Sequence, residues 1–196
     1  MRSSSLSLGK STISALLYEL SLTRLSSVIG QEGEQDGYYR SLLNLIPSAN
    51  PFLTRSSGAF LFSLLNQNVV VPGSCPSADA PVFAALPVFD LLVVATPPTE
   101  LVNQNVTFAV PAVNVTNGDL SAYSVVFINQ QNVPITSPIT NVQTTDGFVT
   151  FEAYFAFADL IAKGLTIAVV TKGAGPFASV PAVAAATVFG PGLIEL

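Results

Sequence analysis

The sequence predicts an α+β protein: a helical segment over residues 1–71, a proline-rich linker over 72–88, and an antiparallel β-sandwich of immunoglobulin-like size over 89–196. Three observations predict it. Between Ile13 and Ile46 the apolar residues recur by threes and fours, the spacing of one helix face. Pro72, Gly73, Pro76, Pro81 and Pro87 then interrupt any regular element. Beyond them the period falls to two, with turn residues punctuating short apolar runs.

In the first segment Leu25, Val28, Ile29, Tyr39, Leu42, Leu43 and Ile46 fall close to one stripe, and Pro47 stops it. Ser11 or Thr12 is the candidate N-cap. Gly30, Gly33 and Gly37 each cost about 1 kcal/mol relative to alanine inside a helix. They share a face and would let a neighbouring helix come close; the other reading is a break near Gly30 that leaves two shorter helices. A second helix is predicted over Ser57 to Asn66, burying Phe60, Leu61, Leu64 and Leu65. Two helices make no bundle, so their apolar partners must come from the second half of the chain, another copy, or sequence outside this one.

The candidate strands are Leu91 to Thr96, Asn105 to Ala112, Tyr123 to Asn129, Asn132 to Ile139, Phe148 to Phe157, Leu165 to Lys172 and Ala184 to Phe189. Pro134 and Pro138 demote the fourth to an edge. The fifth alternates cleanly: Val149, Phe151, Ala153 and Phe155 face one way, Thr150, Glu152 and Tyr154 the other. Asn117-Gly118 and Asp146-Gly147 suit tight hairpins, and Pro97-Pro98 ends the first strand.

Composition excludes much chemistry. The 196 residues contain no histidine, so no Ser/His/Asp or Cys/His relay and no histidine-ligated metal centre is available. Only 10% of residues are charged while 49% are apolar, a sparse supply of surface charge. No lysine or arginine occurs between Arg55 and Lys163, a stretch with seven carboxylates: Asp79, Asp90, Glu100, Asp119, Asp146, Glu152 and Asp159. That sign repels phosphate backbones, and no nucleic-acid partner is expected. Mean hydropathy is +0.56. The long uncharged stretches are broken by proline, glycine, asparagine and glutamine, however, and no membrane span is expected. Arg2 and the serines after it resemble the start of a signal peptide, but Glu19 and the lack of a small-residue cleavage site argue against one.

Few motifs carry chemistry. Gly9-Lys10-Ser11-Thr12 ends like a phosphate-binding loop but lacks the leading glycine, which is Ser4, and any preceding strand. Asn105-Val106-Thr107 and Asn114-Val115-Thr116 match the N-glycosylation acceptor pattern, and attached glycans would supply the missing surface polarity. Cys75 is the only cysteine: an inert thiol in a cytosolic protein, and in an exported one half of an intermolecular bridge or the remainder of a pair whose partner is lost from the chain. Glu32 and Gln35 lie on the stripe of Val28, Ile29 and Tyr39, so the pattern turns them toward the packed side as buried hydrogen-bonding groups. A carboxylate-bridged diiron helix would carry histidine three residues after its glutamate; the amide of Gln35 occupies that place.

Ser26 to Arg40, followed by Ile46-Pro47-Ser48, Asn50-Pro51-Phe52-Leu53-Thr54 and Val71-Pro72-Gly73-Ser74-Cys75-Pro76, resembles the end of the ferritin-like domain in fungal late-sexual-development and stress-response proteins. The resemblance implies an exported protein, extracellular or at the cell surface, with part of a ferritin-like bundle ahead of a β-rich region. It implies that Glu32 and Gln35 are vestiges of a ligand pair, that the other ligand helices lie outside this chain, and that the partner of Cys75 lies upstream. The expected function is a non-catalytic structural or binding role, with no cofactor and with self-association or a cell-wall component as partner. The alternative is a metal-handling protein whose site another subunit completes.

Overall fold

The computed structural model describes residues 27–44, 47, 52–74, 86–160 and 162–196. The chain forms two compact units, Met1–Ala49 and Asn50–Leu196.

In the first unit a helix, α1, covers residues 27–42. It runs through Gly30, Gly33 and Gly37 without the break considered for Gly30. It ends where Asn44 takes a left-handed conformation (φ 58°), a common helix stop for asparagine. Among the described residues no atom lies within 4 Å of where a side chain would begin at Gly30 or Gly33, so none of them uses the glycine face for close approach. The stripe of Val28, Ile29, Tyr39, Leu42 and Leu43 is exposed rather than packed. The start of the expected helix, from Ile13, lies outside the described residues, as does Ile46.

The second unit opens with α2 (Gly58–Asn68), capped by the Ser57 hydroxyl, which accepts a bond from the Phe60 N–H at 3.3 Å. Seven strands follow: β1 (Val93–Thr96), β2 (Gln104–Pro111), β3 (Tyr123–Asn129), β4 (Ile135–Thr145), β5 (Phe148–Phe155), β6 (Leu165–Lys172) and β7 (Thr187–Glu195). Helix α3 (Phe157–Leu160) precedes β6 and α4 (Val180–Ala186) precedes β7. The strands pair antiparallel in the order β1-β2-β5-β4-β3-β6-β7.

β4 turns this ribbon into two layers. Its first residues, Ile135 to Pro138, pair with β3; from Ile139 onward it pairs with β5. Pro138 therefore sits at the corner where one ladder ends and the other begins, so its missing N–H costs neither ladder a bond. The expected edge strand is thus central in the order, while each half is the edge of its own layer. One layer is β1-β2-β5-β4 and the other β4-β3-β6-β7, the arrangement of immunoglobulin-type sandwiches with two edge strands fused. A parallel bridge between Asp90 and Phe189 brings the β1 end against β7, so the sheet nearly closes into a barrel. Asp146-Gly147 makes the β4–β5 hairpin, both residues at positive φ (49° and 83°), with Thr145 opposite Phe148. Asn117-Gly118 does not make a hairpin: it belongs to a 3-10 turn ahead of β3, and β2 and β3 do not pair.

Between the layers lies a phenylalanine core. Phe108, Phe127, Phe151 and Phe155 are fully buried, with Phe108 stacked on Phe151 at 5.8 Å and Phe127 tilted against Phe155 at 5.1 Å. A second apolar layer covers the outer face of β3 and β6. There Phe60 of α2 and Val180 and Val183 of α4 pack on Val126, Ile128, Ile167 and Val169. This explains why Val125 to Ile128 and Ile167 to Val170 read as unbroken apolar runs: both faces of these strands are covered. Helix α2 accordingly belongs with the sandwich, not with the helical segment 1–71, and the compact unit begins at Asn50.

The buried face of α2 also differs from the expected one. Phe60 and Ser63 are buried, while Leu61 and Leu65 are exposed. Polar bonding sets the rotation. The Ser63 hydroxyl donates to the Pro87 carbonyl (3.1 Å) and accepts from the Phe89 N–H (3.0 Å), and the Gln67 amide donates to the carbonyls of Phe89 (2.8 Å) and Gly190 (3.0 Å). Residues 60, 63 and 67 lie on one helix line, so satisfying these strand-end groups turns the Leu61–Leu65 line outward. Of the expected linker, residues 75–85, Cys75 among them, lie outside the described residues.

Candidate functional site

Among the described residues of this unit, no helix covers the outer face of the other layer. Period-two alternation sends Thr150, Glu152 and Tyr154 of β5 outward, while Val149, Phe151, Ala153 and Phe155 are buried. The ladders set what stands beside them: Asn105 opposite Tyr154 and Thr107 opposite Glu152 on β2, and Thr140 opposite Glu152 on β4. Beyond Thr140 the β4 register shifts, and Asn141 takes a left-handed conformation (φ 51°) that asparagine tolerates better than most residues.

Glu152 ties the three strands together. Its Oε2 accepts bonds from Asn141 Nδ2 at 2.7 Å and from Asn105 Nδ2 at 3.3 Å. The Thr140 hydroxyl donates to the Glu152 carbonyl at 3.3 Å, and the Thr150 hydroxyl to the Gln143 carbonyl at 3.4 Å. Beneath the face, the buried Ser137 hydroxyl accepts from the Tyr154 N–H at 3.0 Å and fixes the β4 corner on β5. The Tyr154 ring is 48% exposed at one end of this patch.

Chemically the patch offers amide donors, hydroxyls, one carboxylate acceptor and one aromatic surface, with no basic side chain on any of its strands. Such a set can bind hydroxyl-rich, uncharged ligands by paired donor and acceptor bonds and ring stacking. It holds no imidazole. Among the described residues no group of three or more His, Cys, Asp or Glu side chains is placed to hold a metal ion. No described helix is long and apolar enough to cross a membrane.

The residues singled out by sequence are not gathered into one site. Glu32 and Gln35 lie on α1 and are exposed rather than turned to a packed side, because no described residue covers the stripe they share. Cys75 lies outside the described residues. Asn105 lies on the open sheet face. Asn114 ends a 3-10 turn (Ala112–Asn114) past the other end of β2 and is exposed, beside the 90% exposed Val113. Asn141 and Thr140 were not anticipated; an asparagine in a strand otherwise rich in β-branched residues is the available signal of a bulge.

A second feature is a shallow apolar groove of about 580 Å³ between the end of α2 and strands β1 and β7. Leu65, Val69, Leu91, Val93 and Leu193 border it.

Comparison with protein-family models, curated proteins and solved structures finds no match. The functional reading therefore rests on the open face and its chemistry.

Proposed function

We propose that this chain is a non-catalytic binding protein that works outside the cell and whose sandwich presents the β1-β2-β5-β4 face to a neutral, hydroxyl-rich polymer such as a cell-wall polysaccharide. The observation that carries the reading is the Glu152 cluster. A carboxylate held by two asparagine amides, beside threonine hydroxyls and an exposed tyrosine ring, stands on a face that no described helix of its unit covers, whereas helices cover the opposite layer. The carboxylate accepts from sugar hydroxyls, the amides and threonines donate and accept, and the Tyr154 ring stacks on the apolar side of a sugar. The absence of basic residues from Ser56 to Ala162 favours an uncharged polymer over an anionic one. The resemblance to fungal late-sexual-development and stress-response proteins supports the extracellular setting.

The test is co-sedimentation of the full chain with insoluble cell-wall glucan and chitin. Retention that falls at least about tenfold in Glu152→Ala and Tyr154→Ala, each still unfolding cooperatively, is expected, since each substitution removes a charge-assisted bond or a stacking surface. No retention on any wall polysaccharide refutes the reading. Stoichiometric iron in the purified protein, lost in Glu32→Ala, would instead favour metal handling.

A further inference from the structure

We propose that Asn105 is an N-glycosylation site whose glycan lies along the open sheet face and competes there with external polysaccharide. The modification is independent of the binding reading; the competition rests on it.

Asn105 and Thr107 are two apart on β2, so both acceptor side chains leave the same face of the strand, and that face is the open one. Asn105 is exposed and Thr107 half-buried. β1 pairs only as far as Thr96, opposite Thr107, so β5 alone flanks Asn105 within the sheet. Its Nδ2 contacts Glu152 Oε2 at 3.3 Å, a long bond compared with the 2.7 Å from Asn141. Glycosylation replaces one of the two amide hydrogens and leaves the other to point at Glu152. Tyr154 stands directly across in register, a position whose side chain begins about 5 Å away, so the first sugar meets its ring. A sugar chain continuing along the sheet reaches Glu152, Thr107 and Thr150, the groups an external ligand would use.

In the transfer, Asn105 Nδ2 forms a bond to the anomeric carbon of a polyprenyl-pyrophosphate oligosaccharide. The bond from that carbon to the pyrophosphate oxygen breaks, the lipid pyrophosphate leaves with the electron pair, and Nδ2 gives up one proton. A secretory-pathway oligosaccharyltransferase supplies both catalyst and donor. Asn114 serves as the comparison, because its acceptor lies beyond the far end of β2 and away from the Glu152 cluster.

The experiment uses the full chain secreted from a eukaryotic host and the same chain made in bacteria. Peptide-N-glycosidase digestion in heavy-oxygen water marks each formerly glycosylated asparagine. A mark at Asn105 that disappears in Thr107→Ala is expected; an unmarked Asn105 overturns the proposal, whatever the state of Asn114. Retention on insoluble glucan then tests competition. The bacterial chain is expected to bind about tenfold more tightly than the Asn105 glycoform, the cost of displacing a sugar already making the same contacts. Equal binding overturns the competition, whereas failure of both forms to bind overturns the polysaccharide reading and leaves the Asn105 mark to decide the modification.

Discussion

Replacing Phe60 by alanine tests whether α2 is a structural layer of the sandwich. Its side chain is 1% exposed, with its ring 5.8 Å from that of Phe89 and in a cluster with Val126, Ile128, Ile167, Val169, Val180 and Val183. Phe→Ala substitutions in cores cost about 3–5 kcal/mol, and a surface helix can settle partly into the space, so about 3 kcal/mol is expected. For a domain of this size that lowers Tm by roughly 6–12 °C. Leu61→Ala, one residue along and 56% exposed, should cost no more than about 0.5 kcal/mol. Urea unfolding of the full chain, followed by circular dichroism in the strand band, measures both, and hydrogen exchange at β3 and β6 locates the loss. If Phe60→Ala costs under about 1 kcal/mol, or no more than Leu61→Ala, α2 does not cover the outer face of β3 and β6.

Ser63→Ala removes the acceptor for the half-buried Phe89 N–H and the donor to the Pro87 carbonyl, and should destabilise by about 1–2 kcal/mol in the same unfolding assay. The Asp119 carboxyl is held below its usual range by the Ser121 N–H, which donates to Oδ1 at 2.8 Å, and by the Ser121 side chain, against a weak opposing effect of burial. Because the folded value lies below the unfolded one, its stabilisation is present above the unfolded value and lost as pH falls through the folded one. A carboxyl-carbon NMR titration of Asp119 should therefore give a midpoint below 3.8, and Ser121→Pro, which removes the N–H, should bring it back up.

Strands whose neighbours cover either one face or both leave a readable pattern, alternating or unbroken. Tyr123 to Asn129 and Leu165 to Lys172 stand as strands with the expected ends, and the alternation of β5 names its buried side chains correctly. Asp146-Gly147 makes its hairpin because the strands on either side pair, whereas the like-natured Asn117-Gly118 stands between β2 and β3, which do not. The last expected strand ends at Phe189, yet β7 continues through Gly190, Pro191 and Gly192 to Glu195. Those glycines answer a close approach. A side chain at Gly190 would begin 2.9 Å from Val169 Cγ1, and one at Gly192 3.1 Å from Val94 Cγ2. The alanine-rich run before β7 was partly assigned to a strand, but Ser179 caps it and Pro181 falls in its first turn, so it folds as α4.

The candidate site was harder to read because no local signal contains it. Asn105, Asn141 and Glu152 come from β2, β4 and β5, and meet only because β5 lies between the other two in the sheet. Slipping either ladder by one residue would turn the cluster's side chains from the open face into the core. What prevents the slip lies beneath the cluster: Val106, Phe108, Val149, Phe151 and Ala153 are fully buried, and each would have to exchange places with a polar neighbour. The phenylalanine core therefore does more than stabilise the sandwich. By fixing the register, it holds the Glu152 acceptor and its two amide donors at set spacings, so the proposed binding would not bear the cost of ordering them.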